Sequence, residues 1–200
     1  MGNKFNKEFK PAPNQKALHD SPDRVAALCD LQYVITQDHI DVELTTSDVE
    51  TLAVRHQGIL KDLSNFNFNI FEAANTIGRD KYMPVIAWEL MKINKVDRQI
   101  KHNEFIQFSK QVYNRYQRTV QYHNDLHGTD VAQHINFMLN SQGVDQICKF
   151  TSFDRMAIIV SALCHDLQHN GFTNGYHKNN KSNLQRKFGD FHIQEYFHAS

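Results

Sequence analysis

Two short segments of this sequence gather side chains able to do metal or acid–base chemistry. The first is Tyr122-His123-Asn124-Asp125-Leu126-His127. His123 and His127 stand at i and i+4, so a helix puts them on one face about one turn apart. The second is His165-Asp166-Leu167-Gln168-His169. It follows the apolar run MAIIVSALC, which predicts a buried helix delivering polar groups at its C-terminal end. Imidazole nitrogen and carboxylate oxygen suit zinc, iron, manganese and magnesium. A looser third segment sets His192, Glu195 and His198 at helical spacing near the chain end. A lone i,i+4 histidine pair is usually a surface or capped pair, and a lone His-Asp dipeptide says less still. Joined, with His169 and the apolar lead-in, they favour a metal-dependent hydrolase.

Such groups need rigid elements to hold them. Val85, Ile86, Trp88, Leu90 and Met91 cluster after Pro84. Phe105, Phe108, Val112 and Tyr116 are spaced for one helical face, as are Val131, Ile135, Met138 and Leu139, and again Met156, Ile159, Val160 and Leu163. Strand alternation is scarce and no Gly-rich phosphate loop occurs. The pattern predicts an all-α, multi-helix bundle joined by short loops. Residues 1–64 read as an N-terminal tail and linker, open to a regulatory role. Pro11, Pro13 and Pro22 lie among Lys and Asn there, and Thr46-Ser47-Asp48 predicts a cap for a helix from near Val49.

Composition excludes more than it assigns. Lys+Arg and Asp+Glu are equal at 22 each, so net charge gives no case for nucleic acid or an anionic membrane as main partner. No apolar run reaches the roughly 20 residues that span a bilayer. Cys29, Cys148 and Cys164 are odd in number and lack CxxC spacing, which points to reduced thiols in an intracellular, cytoplasmic protein. Met1-Gly2 opens an N-myristoylation signal, and with it peripheral membrane association, but Asn6 stands where that signal wants Ser or Thr. A plain tail is the favoured reading.

The run His165-Asp166-Leu167-Gln168-His169-Asn170-Gly171-Phe172-Thr173-Asn174-Gly175-Tyr176 resembles the class I 3′,5′-cyclic-nucleotide phosphodiesterase pattern, and YHNDLHGTDV resembles the upstream element of that family. Ser182, Leu184, Phe188 and Asp190 resemble its SxLxxxYxD stretch. The likeness runs from about Phe66 to Ser200, so residues 65–200 are expected to be the N-terminal portion of such a catalytic domain, incomplete at the C-terminus.

The resemblance implies an all-α fold and two divalent metal ions, zinc with magnesium or manganese. It implies hydrolysis of the 3′ phosphoester of cyclic AMP or cyclic GMP to the 5′-monophosphate by metal-bound hydroxide. By position, His127, His165 and Asp166 match metal ligands, His123 the general acid, His169 and Glu195 groups that orient waters or a neighbouring histidine, and Tyr122 a pocket-lining residue. The full-length form is open to homodimerisation. Gly128 stands where the family has Ala, a cost of up to about 1 kcal/mol in a helix. Asn170 replaces a usual Pro, and QEYFHAS departs from Leu-Glu-Asn-His-His while keeping Glu195 and His198. The family's further metal-ligating Asp and purine-binding Gln have no counterpart here, so the chain alone is expected to be inactive or very weak and prone to aggregate.

Two other readings compete: a broader HD-type metal phosphohydrolase acting on nucleotides, and an inactive fragment serving as a binding or regulatory module. His134, His177 and His102 are expected to be solvated surface groups, Trp88 a core residue, and Asp130 a partner for its own helix turn.

Overall fold

The computed structural model describes residues 43–200; the tail, Cys29 and Gly2 lie outside the described residues. Eleven α-helices, one 3-10 turn and no strand occur among the described residues. The all-α expectation holds. No helix among them is long and apolar enough to cross a membrane. Thr173–Ile193 form one compact unit, and 43–172 with Gln194–Ser200 belong to another.

In the larger unit, α1 is Thr46–Arg55 and α2 is Gln57–Leu60. The cap of α1 is Thr45, one residue before the expected cluster; its hydroxyl accepts from Asp48 N, and Asp48 accepts from Thr45 N in return. Helix α3 is Ile70–Ile77, and α4 is Tyr82–Ile93. Helix α4 is buried on nearly every side, including Met83, Val85, Ile86, Leu90 and Met91, so it is the central rod. Pro84 sits in its first turn, where backbone N–H groups have no intrahelical acceptor to lose. Trp88 is a core residue, as expected.

Helix α5 is His102–Arg115, α6 Asp125–Ser141, α7 Val144–Cys148 and α8 Ser152–Cys164. Helix α6 packs along α8 and also meets α3 and α4. Helix α8 opens on a Thr151/Asp154 capping box and buries Ile159 and Leu163. Helix α11, Ile193–His198, ends the chain.

The apolar faces differ in detail from the periodicity. On α5, Ile106, Ser109 and Tyr113 join Phe105 and Val112 inside, while Phe108 turns partly to solvent. On α6, Met138 is exposed and the polar Gln133 and Asn136 are buried. Their amides explain it. Gln133 Nε2 donates to Leu63 O and Asn65 O at 2.9 and 2.8 Å, and Asn136 Nδ2 donates to Leu63 O at 3.0 Å. Burying them supplies side-chain donors to Leu63 O, while Asn65 O also accepts from Phe68 N at 3.2 Å.

Two surface expectations are corrected. His102 stacks on Trp88 with centroids 3.7 Å apart and planes 9° from parallel, because the flat indole offers it apolar contact. His177, in the smaller unit on α9 (Asn174–Asn179), is fully buried and shares a 2.8 Å hydrogen bond between Nδ1 and Ser182 Oγ. Ser182 also caps α10, Asn183–Phe188, by accepting from Gln185 N.

Candidate metal centre

The two chemical segments meet at the start of α6 and the end of α8. Asn124 is the cap of α6, and its Oδ1 accepts from Leu126 N and His127 N at 3.0 and 3.4 Å. Asn has a strong cap preference, so the helix begins at Asp125 rather than upstream. His127 therefore stands on the first turn while His123 lies outside the helix, which corrects the expectation of one shared helical face. The rings still meet, with centroids 5.7 Å apart.

Asp125 anchors this helix start. Its carboxylate is fully buried and accepts from Tyr82 Oη at 2.6 Å and from both terminal nitrogens of Arg79, which pairs with it bidentately. Tyr116 ties the loop before the site to α8, donating from Oη to Leu163 O at 2.9 Å. Gly128 makes that bond fit: a Cβ there would lie 2.5 Å from Tyr116 Oη and 3.1 Å from Leu163 O. Gly128 is thus a packing requirement and not only a helix cost. Arg79 and Tyr82 were not singled out from the sequence, and Asp125 and Tyr116 were read only as part of a segment and of an apolar face. An acidic residue at a helix start was a readable signal, but its partners 43 and 46 positions away were not.

At the end of α8, His165 is the C-cap. Its Nδ1–H donates to Ala162 O at 2.8 Å. That leaves Nε2 facing His127 Nε2 at 3.3 Å and Asp166 Oδ2 at 3.1 Å. Asp166 Oδ2 also accepts from His123 Nδ1 at 2.6 Å and lies 3.4 Å from His127 Nε2. One carboxylate oxygen is therefore the meeting point of three imidazoles. Donor atoms of His123, His127 and Asp166 all lie within 4.8 Å of one another and could hold a metal ion.

The electrostatics of Asp166 and His127 suit that role, while those of His165 favour its protonated form. Burial alone would raise the Asp166 carboxyl, but hydrogen bonds from His165 and His123 outweigh it and hold it well below the usual carboxylate range. His127 is pushed down by burial and by the neighbouring His165, which favours its neutral, ligating form. His165 is pushed up, chiefly by its hydrogen bond to Asp166. An anionic oxygen ringed by imidazoles, one anchored through its far nitrogen to a backbone carbonyl, is a donor set that fits a divalent transition ion.

Of the remaining predicted residues, His169, His198 and Tyr122 border this cluster. His169 stacks on His123 with centroids 4.1 Å apart, and its Nδ1 accepts from Gly171 N at 2.9 Å. His198 continues the stack, its ring centroid 5.6 Å from that of His169. Tyr122 is 64% exposed, with its ring 4.4 Å from that of His127, so it forms a rim. Glu195 is exposed, one turn before His198 on α11. Asp130 serves its own helix turn, 3.5 Å from His134 Nδ1. His192 falls in the smaller unit.

Residues 122–200 match the family described as 3′5′-cyclic nucleotide phosphodiesterase. The chain is 33% identical over 95 residues to 3′,5′-cyclic-AMP phosphodiesterase 4 of Dictyostelium discoideum, covering 47% of this chain and 9% of that protein. It is 29% identical over 142 residues to the 3′,5′-cyclic-nucleotide phosphodiesterase regA of the same organism, covering 68% and 17%. It is 29% identical over 146 residues to the mouse dual specificity calcium/calmodulin-dependent 3′,5′-cyclic nucleotide phosphodiesterase 1C, covering 70% and 20%. The chain thus spans a fifth or less of the length of these relatives.

Proposed function

We propose that this chain, whose residues 122–200 match the 3′5′-cyclic nucleotide phosphodiesterase family, carries the metal-holding part of a phosphodiesterase site that opens the 3′ phosphoester of cyclic AMP or cyclic GMP. The observation that supports it most is the convergence of His123, His127 and His165 on Asp166 Oδ2.

His127, His165 and Asp166 are the residues that would hold divalent ions, zinc with manganese or magnesium. Such ions, when bound, supply Lewis acidity for water activation and for the charge that develops on phosphate oxygens. His123 works on the leaving group. Its Nδ1–H is engaged by Asp166, which fixes the ring, so in the protonated ring the transferable proton is the one on Nε2. Donating that proton to O3′ spares the departure of a bare alkoxide, a contribution of about 10²–10⁴ in rate. His169, stacked on His123, limits how that ring can turn. Tyr122 at the rim offers an aromatic edge to an incoming substrate.

The test is made on the protein expressed from its native reading frame. Cyclic AMP and cyclic GMP should yield 5′-monophosphates, and a chelator should stop the reaction. His123→Ala should lower kcat by about 10²–10⁴ with metal content unchanged, and Asp166→Ala should lose metal and turnover together. Turnover of nucleoside monophosphates with none of cyclic nucleotides would instead establish the broader phosphohydrolase reading.

A further inference from the structure

The main chain that carries His165 and Asp166 is tied down by a side chain from a different helix. Leu163 O, one of the last four carbonyls of α8, accepts from Tyr116 Oη at 2.9 Å. The backbone N–H of Asp166 faces the same hydroxyl. Leu163 O and Asp166 N are three residues apart in sequence, the pair that a 3-10 turn would join. The phenol oxygen serves both instead. Cys164 O, the next carbonyl, accepts from Leu167 N at 3.0 Å. Burial pushes the Tyr116 phenol well above its ordinary value, so it keeps the hydrogen it gives to Leu163 O.

The same oxygen lies between the two site segments. Tyr116 is fully buried and is the C-cap of α5. Its phenol fills the gap that Gly128 leaves, one residue after His127. A Cβ there would lie 2.5 Å from Tyr116 Oη and 3.1 Å from Leu163 O. The hydroxyl is therefore wedged where the first turn of α6 meets the last turn of α8. From those two turns, His127 Nε2 comes within 3.4 Å of Asp166 Oδ2 and 3.3 Å of His165 Nε2. Metal sites tolerate only about ±0.2 Å in ligand distance, so a shift of either turn is felt by the donor set.

We infer that Tyr116 is a positioning residue of the metal centre. Its hydroxyl fixes the main chain from Leu163 to Asp166 and the approach of α8 to Gly128, and so sets where His165 and Asp166 stand relative to His127. The residue is not itself among the donor groups and acts through backbone it holds. The inference rests on the reading of a divalent centre given above and adds to it the side chain that sets the spacing of its donors.

The experiment compares two deletions of a buried hydroxyl in the full chain. Tyr116→Phe removes the one beside Asp166, and Ser109→Ala removes one that serves only Ile106 O within α5. Each metal-free protein is titrated with Co²⁺ by calorimetry, and the visible spectrum of the bound ion reports its ligand geometry. Tyr116→Phe should weaken Co²⁺ binding by about 10–100-fold and alter the spectrum. Ser109→Ala should change neither, which separates positioning from a general loss of stability. Gly128→Ala keeps the hydroxyl but crowds it off Leu163 O, so it should weaken Co²⁺ binding in the same direction. Circular dichroism checks each variant, and if Tyr116→Phe does not fold, Gly128→Ala decides. Unchanged affinity and spectrum in the deciding variant, or an equal loss in Ser109→Ala, overturns the role of Tyr116 and leaves the divalent centre standing. No Co²⁺ on the wild-type chain overturns the centre, and this inference with it.

Discussion

Tyr116 Oη reaches Leu163 O through the space that a side chain at position 128 would fill. The bond joins the loop leading to His123 with the last turn of α8, two residues before His165. A methyl group at 128 forces the phenol away from its acceptor. Gly128→Ala should therefore destabilise the fold by up to about 2 kcal/mol, the overpacking cost of about 1–3 less the helix gain of about 1. Urea denaturation measures it. Because the two residues share one contact, Gly128→Ala with Tyr116→Phe should cost less than the sum of the single changes. Full additivity would show that the contact is not shared.

The Asp125 carboxylate depends on Arg79 and Tyr82. Arg79→Ala leaves a fully buried anion with one hydroxyl partner, so a loss of about 3 kcal/mol is expected, the low end for a broken buried pair because Arg79 is itself 40% exposed. Tyr82→Phe removes a single hydrogen bond and should cost about 1–3 kcal/mol. If Arg79→Ala unfolds at the same urea concentration as wild type, the pair contributes nothing to stability.

Burial pushes the His177 imidazole below its ordinary value. Its unfolded pKa is near 6.5, so the unfolded chain binds the proton first as pH falls. The stability tied to neutral His177 is complete above about pH 6.5. It is lost as pH drops from there toward the lower folded pKa, with a slope of at most about 1.4 kcal/mol per pH unit. Thermal melts between pH 7.5 and 5 should show this fall, and His177→Gln should flatten it. An identical slope in the variant would place the acid sensitivity elsewhere.

Divalent ions should stabilise the folded chain through the cluster at Asp166. Ions bound only by the native state add RT ln(1 + [L]/Kd), about 2.7 kcal/mol at a hundred times Kd. Zinc or manganese should raise the melting temperature, a chelator should reverse the rise, and Asp166→Ala should not respond. A response of equal size in Asp166→Ala would locate the binding at other residues.

The sequence by itself determined the class of fold and marked the two segments whose histidines and Asp166 the fold brings together. Those signals are local. Apolar spacing at 3.6 residues marks a helix wherever it packs, and MAIIVSALC followed by His165-Asp166 states that an apolar helix ends in ligating groups. The tertiary structure decided what depends on neighbours distant in the chain. Gln133 and Asn136 are polar in sequence but buried, because both donate to the carbonyl of Leu63. His177 and His102 look like surface residues until Ser182 and Trp88 are set beside them. The start of α6 was misplaced because an i,i+4 spacing carries no information on where a helix begins; the Asn124 cap does, and it puts His123 outside. Gly128 reads as a helix defect until Tyr116 occupies its missing side chain's place. His198, a loose match in sequence, meets Leu167 O and stacks beside His169 only in the folded chain. Periodicity is a property of one segment, whereas hydrogen-bond satisfaction and close packing belong to pairs of segments, and those pairs exist only in the folded chain.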